Sequence, residues 1–131
     1  MRAEGWESML ATRIQQAYHV PFQWGEHDCA LWCADWVFEA TGADLLSDWR
    51  GKYKTAAGAA RLMKRRKFSG VAAIAAKHLP EINPAMAKRG DILLHPDGSL
   101  GVCYGRHGFF LTPDSVTTIP VGACPRAWAV E

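Results

Sequence analysis

No stretch of this chain approaches the roughly 18 consecutive apolar residues that a membrane-spanning helix requires. Its first residues, MRAEGWESMLATRIQQ, also lack the apolar run of ~7–15 residues at the centre of a secretory signal. These absences predict a soluble chain that does not pass through the general secretory route. Cysteine is scarce: Cys29, Cys33, Cys103 and Cys124 are too few and too scattered for a disulfide framework and read as free thiols in a reducing compartment. Cys29 and Cys33 stand four apart, which puts both on one helical face, whereas zinc knuckles and redox dithiols usually place two residues between their cysteines. No metal and no cofactor is expected, a four-thiol cluster being the remote alternative. Zinc-finger spacing, an aromatic ribonucleoprotein motif and a helix-turn-helix signal are all missing, so nucleic-acid readout has no support. The glycines at 90, 98, 101, 105 and 108 do not form the strand–glycine–helix cradle for phosphate.

What is present describes one domain. A chain of 131 residues with 49% apolar and 21% charged side chains is too short to divide and too apolar to be disordered, so residues 1–131 are read as a single unit. Six tryptophans suggest an aromatic core or an exposed aromatic contact surface. The net charge of +2 hides an asymmetry. Between Arg50 and Lys67 stand eight basic residues and no acid, leaving seven basic against thirteen acidic residues elsewhere, a balance of −6. Such a block is a solvated face or a docking surface for an acidic protein, a polyanionic wall polymer or nucleic acid, with Lys64, Arg65, Arg66 and Lys67 at its centre.

From Glu4 to Tyr18, Trp6, Met9, Leu10, Ile14, Ala17 and Tyr18 recur at three and four, which predicts an amphipathic helix ended by Pro21. Asp28 is placed to cap a second helix that starts at Cys29 and stops at Thr41–Gly42. Its sequence, DCALWCADWVFEA, is apolar on nearly every side; only Asp35 and Glu39 make a polar strip, so this helix belongs in the interior, with Trp32 and Trp36 in the core. Helices are predicted from Thr55 to about Arg66 and from Ser69 to Leu79. After the loop PEINPAMAKRGD come short strands, DILLH, LGVCYG, FFLT, VTTIPV and AWAV. Helices first and hairpins last predict an α+β domain in which an antiparallel sheet packs on the buried helix.

A cysteine in the first turn of a helix faces aligned backbone N–H groups and the positive end of the helix dipole, which favour thiolate. Cys29 has that address; the alternative is a packed thiol beneath the sheet. Thiolate catalysis also needs an imidazole at roughly 2.6–3.2 Å and a third polar group to orient it.

The order W-G-x-x-D-C-A-L at the buried helix, then R-G-D-I-L-L and L-G-V-C-Y-G, resembles the NlpC-type papain-like cell-wall peptidases. More closely, it is similar to a small family from phage and prophage tail gene clusters that shares WG..DCAL, RGD, LGV..G and a terminal C..AW.V. The likeness runs from Trp6 to Val130. It implies an NlpC-like α+β fold with Cys29 at the nucleophile position. Where the peptidases carry a histidine at the start of the next strand, this chain has Ser99, and the third polar position falls near Thr112. A hydroxyl does not hold a proton near neutral pH as imidazole does, so the general-base contribution of ~100–10,000-fold would be lost unless His95, across the HPDGS turn, or His27, beside the cysteine, takes over; His107 is a weaker substitute. The resemblance therefore implies a degenerate peptidase homologue of a phage tail, in the host cytoplasm during assembly and then in the virion tail, with other tail proteins as partners. The alternative is an active cysteine peptidase or amidase that cuts peptidoglycan peptides with Cys29.

Overall fold

Asp28 fixes the start of the central helix. Its side chain accepts the Leu31 N–H at 3.0 Å and the Gly25 N–H at 2.9 Å, so one carboxylate both caps the helix and holds the preceding loop. That loop closes through the paired backbone groups of Gln23 and His27. Gly25 turns it at φ +82°, where a Cβ would stand 1.9 Å from the Tyr53 carbonyl oxygen, so the position admits only glycine.

The computed structural model describes all residues, 1–131. Four helices precede most of the sheet: α1 (Trp6–Ala17), α2 (Cys29–Thr41), α3 (Ala56–Arg65) and α4 (Val71–His78). Six strands follow: β1 (Glu81–Ile82), β2 (Ile92–Leu94), β3 (Leu100–Tyr104), β4 (His107–Leu111), β5 (Val116–Pro120) and β6 (Arg126–Trp128). They form one antiparallel sheet in the order β1-β6-β2-β3-β4-β5. The domain is α+β. β1 lies inside what the sequence presents as a loop: two residues between prolines are too short for a periodic signal, and pairing with β6 makes them a strand. No helix is long and apolar enough to cross a membrane.

The two faces of the sheet bury different things. Ile92, Leu100, Val102, Leu111 and Trp128 face α2 and join Leu31, Trp32, Cys33, Trp36 and Val37 in the main core. Leu93, Cys103, Phe110, Cys124 and Ala127 form a smaller cluster on the far face, covered by Ile119 and Val121. As its composition predicts, α2 is largely interior, with seven of its thirteen residues buried; Phe38, 56% exposed, and Glu39 face outward. Its polar strip is satisfied by ion pairs, Asp35 with Arg50 at 2.6 Å and Glu39 with Arg13 at 3.2 Å.

A second buried carboxylate joins the chain ends. Asp91 is fully buried, accepts hydrogen bonds from the Val130 N–H at 3.1 Å and the Lys88 N–H at 2.9 Å, and pairs with Arg2 at 2.9 Å. Arg2 also donates to the Val130 and Arg89 carbonyls. Between them Gly90 sits at φ +89°, where a Cβ would fall 2.8 Å from Arg2 and 2.9 Å from the Trp36 ring, and its carbonyl accepts the Trp36 indole N–H at 2.7 Å. The Arg89-Gly90-Asp91 turn therefore clasps the N-terminus, the central helix and the C-terminal strand.

Candidate functional site

Cys29 opens α2, as the sequence predicts, and lies against the start of β3, with the backbone N–H groups of Leu100 and Ala30 toward its sulfur. The expected thiolate does not follow. Loss of water around the sulfur, reinforced by the neighbouring Asp28 carboxylate, outweighs those N–H groups and pushes the thiol up to about 11. Desolvation opposes the charged form wherever it sits, whereas the dipole of one helix end is worth only ~0.3–1 kcal/mol. Cys29 is only partly covered, yet it lines a small apolar cleft of about 60 Å³ with Trp24, Trp49, Met63, Val71 and Ile74.

None of the companion side chains hydrogen-bonds the Cys29 sulfur. Ser99 donates its hydroxyl to Asp97 at 2.7 Å, within its own turn. Burial alone would raise the Asp97 pKa, but hydrogen bonds from the Ser99 N–H and hydroxyl, together with His95, hold it below the ordinary carboxylate value. His95 packs its ring edge-on against Phe110, centroids 5.0 Å apart, a member of the cluster on the sheet face turned from α2. Its Nδ1 accepts the Asp97 N–H at 3.0 Å. Thr112 closes the turn between β4 and β5 by bonding to the Ser115 carbonyl at 2.7 Å. His107 is in β4, paired with Tyr104 and Pro120.

His27 and Thr112 do come together, but away from the thiol. They line a polar recess of about 350 Å³ with Tyr18, His19 and Asp114. Partial burial lowers the His27 pKa against the pull of Asp35 and Asp28, and its Nε2 has no hydrogen-bond partner. No histidine hydrogen-bonds the Cys29 sulfur, and the sulfur lines a different cavity from His27 and Thr112.

The family described as Domain of unknown function (DUF6950) matches residues 1–130. The chain belongs to it. No curated protein and no solved structure matches the chain. Within this DUF6950 domain, the residue that sequence reasoning missed is Tyr53. Its hydroxyl donates to Asp28 at 2.5 Å, and burial with that bond drives its own pKa sharply upward. A tyrosine amid lysines carries no sequence signal for this role; only the fold brings it under α2.

The four thiols divide between the sheet faces, Cys29 and Cys33 toward α2, Cys103 and Cys124 on the far side, and no three ligating side chains converge on one point. The basic run also divides. Lys64 and Arg65 line an open groove, whereas Arg66 bonds to Asp48 and lies 4.7 Å above the Trp49 ring. Lys67 is the left-handed residue that follows α3, at φ +66°.

Proposed function

We propose that this DUF6950 domain is an NlpC-like, papain-related module without peptidase chemistry, serving as a structural and interaction component of a phage or prophage tail, near the tip or in its assembly. The reading is supported by the motif order and by an interior helix that opens on a cysteine against an antiparallel sheet. The observation that carries it is the setting of that cysteine: it lines an apolar cleft, no histidine hydrogen-bonds its sulfur, and loss of water pushes its thiol up to about 11. At neutral pH only about one sulfur in ten thousand would be ionised, and no histidine hydrogen-bonds the sulfur to take its proton. In this reading the protein resides in the host cytoplasm during assembly and afterwards in the virion tail, with other tail proteins as partners.

Two measurements test the proposal. Tail particles purified from a lysate should carry the protein, or recruit it during assembly, and co-sediment with it; its absence from both the particles and their assembly intermediates rejects the tail role. Murein sacculi incubated with the purified protein should release no peptide. Release that is abolished by Cys29→Ala would restore the active peptidase or amidase reading.

A further inference from the structure

Five cations surround one concavity. Lys52 and Lys54, just before α3, and Arg61, Lys64 and Arg65 along it line an open groove of about 670 Å³ with no acidic side chain in its walls. Apart from an exposed pair of Lys52 with Asp48, these cations make no ion pair with the rest of the fold. α3 buries only Leu62, and Arg61 and Arg65, one turn apart, repel each other on the helix surface. Arg66, in the same run, is employed by Asp48 and Trp49, whereas Arg61, Lys64 and Arg65 have no ion-pair partner. The start of α3 faces the same groove through Thr55 and Gly58, adding its dipole to the positive field.

The surroundings limit what can occupy it. Asp48 stands 3.7 Å from Lys52, and the Glu26 carboxylate lies against Gly51, so a long polyanion leaving the groove past Lys52 would meet negative charge. The only ring in the walls is Tyr53, nine-tenths buried and hydrogen-bonded inward to Asp28. It leaves no face on which a nucleic-acid base could stack. Two arginine forks one turn apart, flanked by lysines, suit carboxylates presented by a short chain. We propose that this groove docks a short acidic peptide segment of a partner protein. The assignment rests on the groove alone and stands whether or not the protein belongs to a tail.

The test uses the full chain and a fluorescein-labelled hexaglutamate peptide, read by fluorescence anisotropy at about 10 mM ionic strength, where the Debye length is about 30 Å. Saturable binding is expected, weakened at least about tenfold by Arg61→Glu with Arg65→Glu. The exposed Arg106→Glu, at the β3–β4 turn, should change it less than about twofold. Because Arg61 and Arg65 contact no core, the double variant should keep the wild-type circular dichroism; should it unfold, Arg61→Gln with Arg65→Gln gives the same comparison. Absence of saturable binding, or equal weakening by Arg106→Glu, overturns the proposal. So does a single-stranded oligothymidine or tripolyphosphate that displaces the peptide at lower concentration than unlabelled hexaglutamate, since a phosphate ligand would then own the groove.

Discussion

Alkylation of Cys29 tests the non-catalytic reading most directly. With its thiol pushed up to about 11, the ionised fraction at pH 8 is about one in a thousand, against about one in ten for a thiol at the ordinary value of about 9. The loss of roughly 100-fold in thiolate is partly returned, because nucleophilicity rises with basicity; a Brønsted coefficient of ~0.4–0.5 restores about 6–10-fold. Cys29 should therefore react with iodoacetamide roughly tenfold more slowly than an unstructured cysteine peptide, and more slowly still where the apolar cleft hinders approach. The rate should keep rising with pH to beyond 10. Mass spectrometry with fragmentation separates the Cys29 adduct from that of Cys33, which shares its tryptic peptide. An apparent pKa below ~8.5, or a rate at pH 8 matching the free peptide, would mean that an activating partner has been overlooked, and the argument from burial would fail.

Asp91→Asn should destabilise the protein by about 3–5 kcal/mol, because it leaves the buried Arg2 guanidinium without its counter-charge and turns an amide donor toward backbone N–H groups. For 131 residues that is a fall of roughly 10–20 °C in a thermal melt followed by circular dichroism, and a shift under about 3 °C would show that the Arg89-Gly90-Asp91 turn is not a clasp. Tyr53→Phe removes the hydroxyl donor to the buried Asp28 and should cost about 1–3 kcal/mol in urea unfolding; an unchanged midpoint would mean that Asp28 is satisfied without it. Burial keeps Cys29 protonated in the native state while the unfolded chain ionises first, near 9, so its contribution is complete below pH 9. That contribution, about 2–3 kcal/mol, is lost as pH rises through about 11. Cys29→Ala should lessen this alkaline slope in denaturant titrations, the part due to the buried Cys33 and Cys103 remaining, and an identical slope would contradict the buried thiol.

The sequence made the central helix legible because two independent signals agreed there: Asp28 and Gly42 mark its ends, and its all-round apolar character marks its depth. The hairpins were equally plain, since Pro96, Asp97 and Gly98 interrupt a run that the sheet then pairs as Ile92 with Val102 and Leu94 with Leu100. Three things were not legible. β1 is two residues long and owes its conformation to a partner some 45 residues away. The face to which His95 turns depends on its position in the strand register, two residues beyond Leu93 and beside Phe110, which nearness to Cys29 across a turn does not reveal. The raised thiol pKa depends on how completely neighbours exclude water, whereas the sequence displays only the helix start.

The residues of the WG..DCAL, RGD and terminal AW segments carry the fold more than any chemistry, because most of them have structural partners. Gly25 admits the Tyr53 carbonyl, Asp28 gathers two backbone N–H groups and a phenol, Gly90 makes room for Arg2 and Trp36, and Asp91 holds Val130. Trp128 fills the main core. Each of these contacts places the central helix across the sheet and needs no catalytic base to do so. The side chains that the fold does not employ sit elsewhere, on α3 and the segment before it. Charges of one sign around a concavity, most of them without an ion-pair partner, weaken the free protein through mutual repulsion and strengthen its hold on an anion. A surface that helps only when occupied is better explained by its occupant than by the fold, and on the proposal of an acidic peptide ligand the working face of the domain is the basic groove and not the mouth of α2.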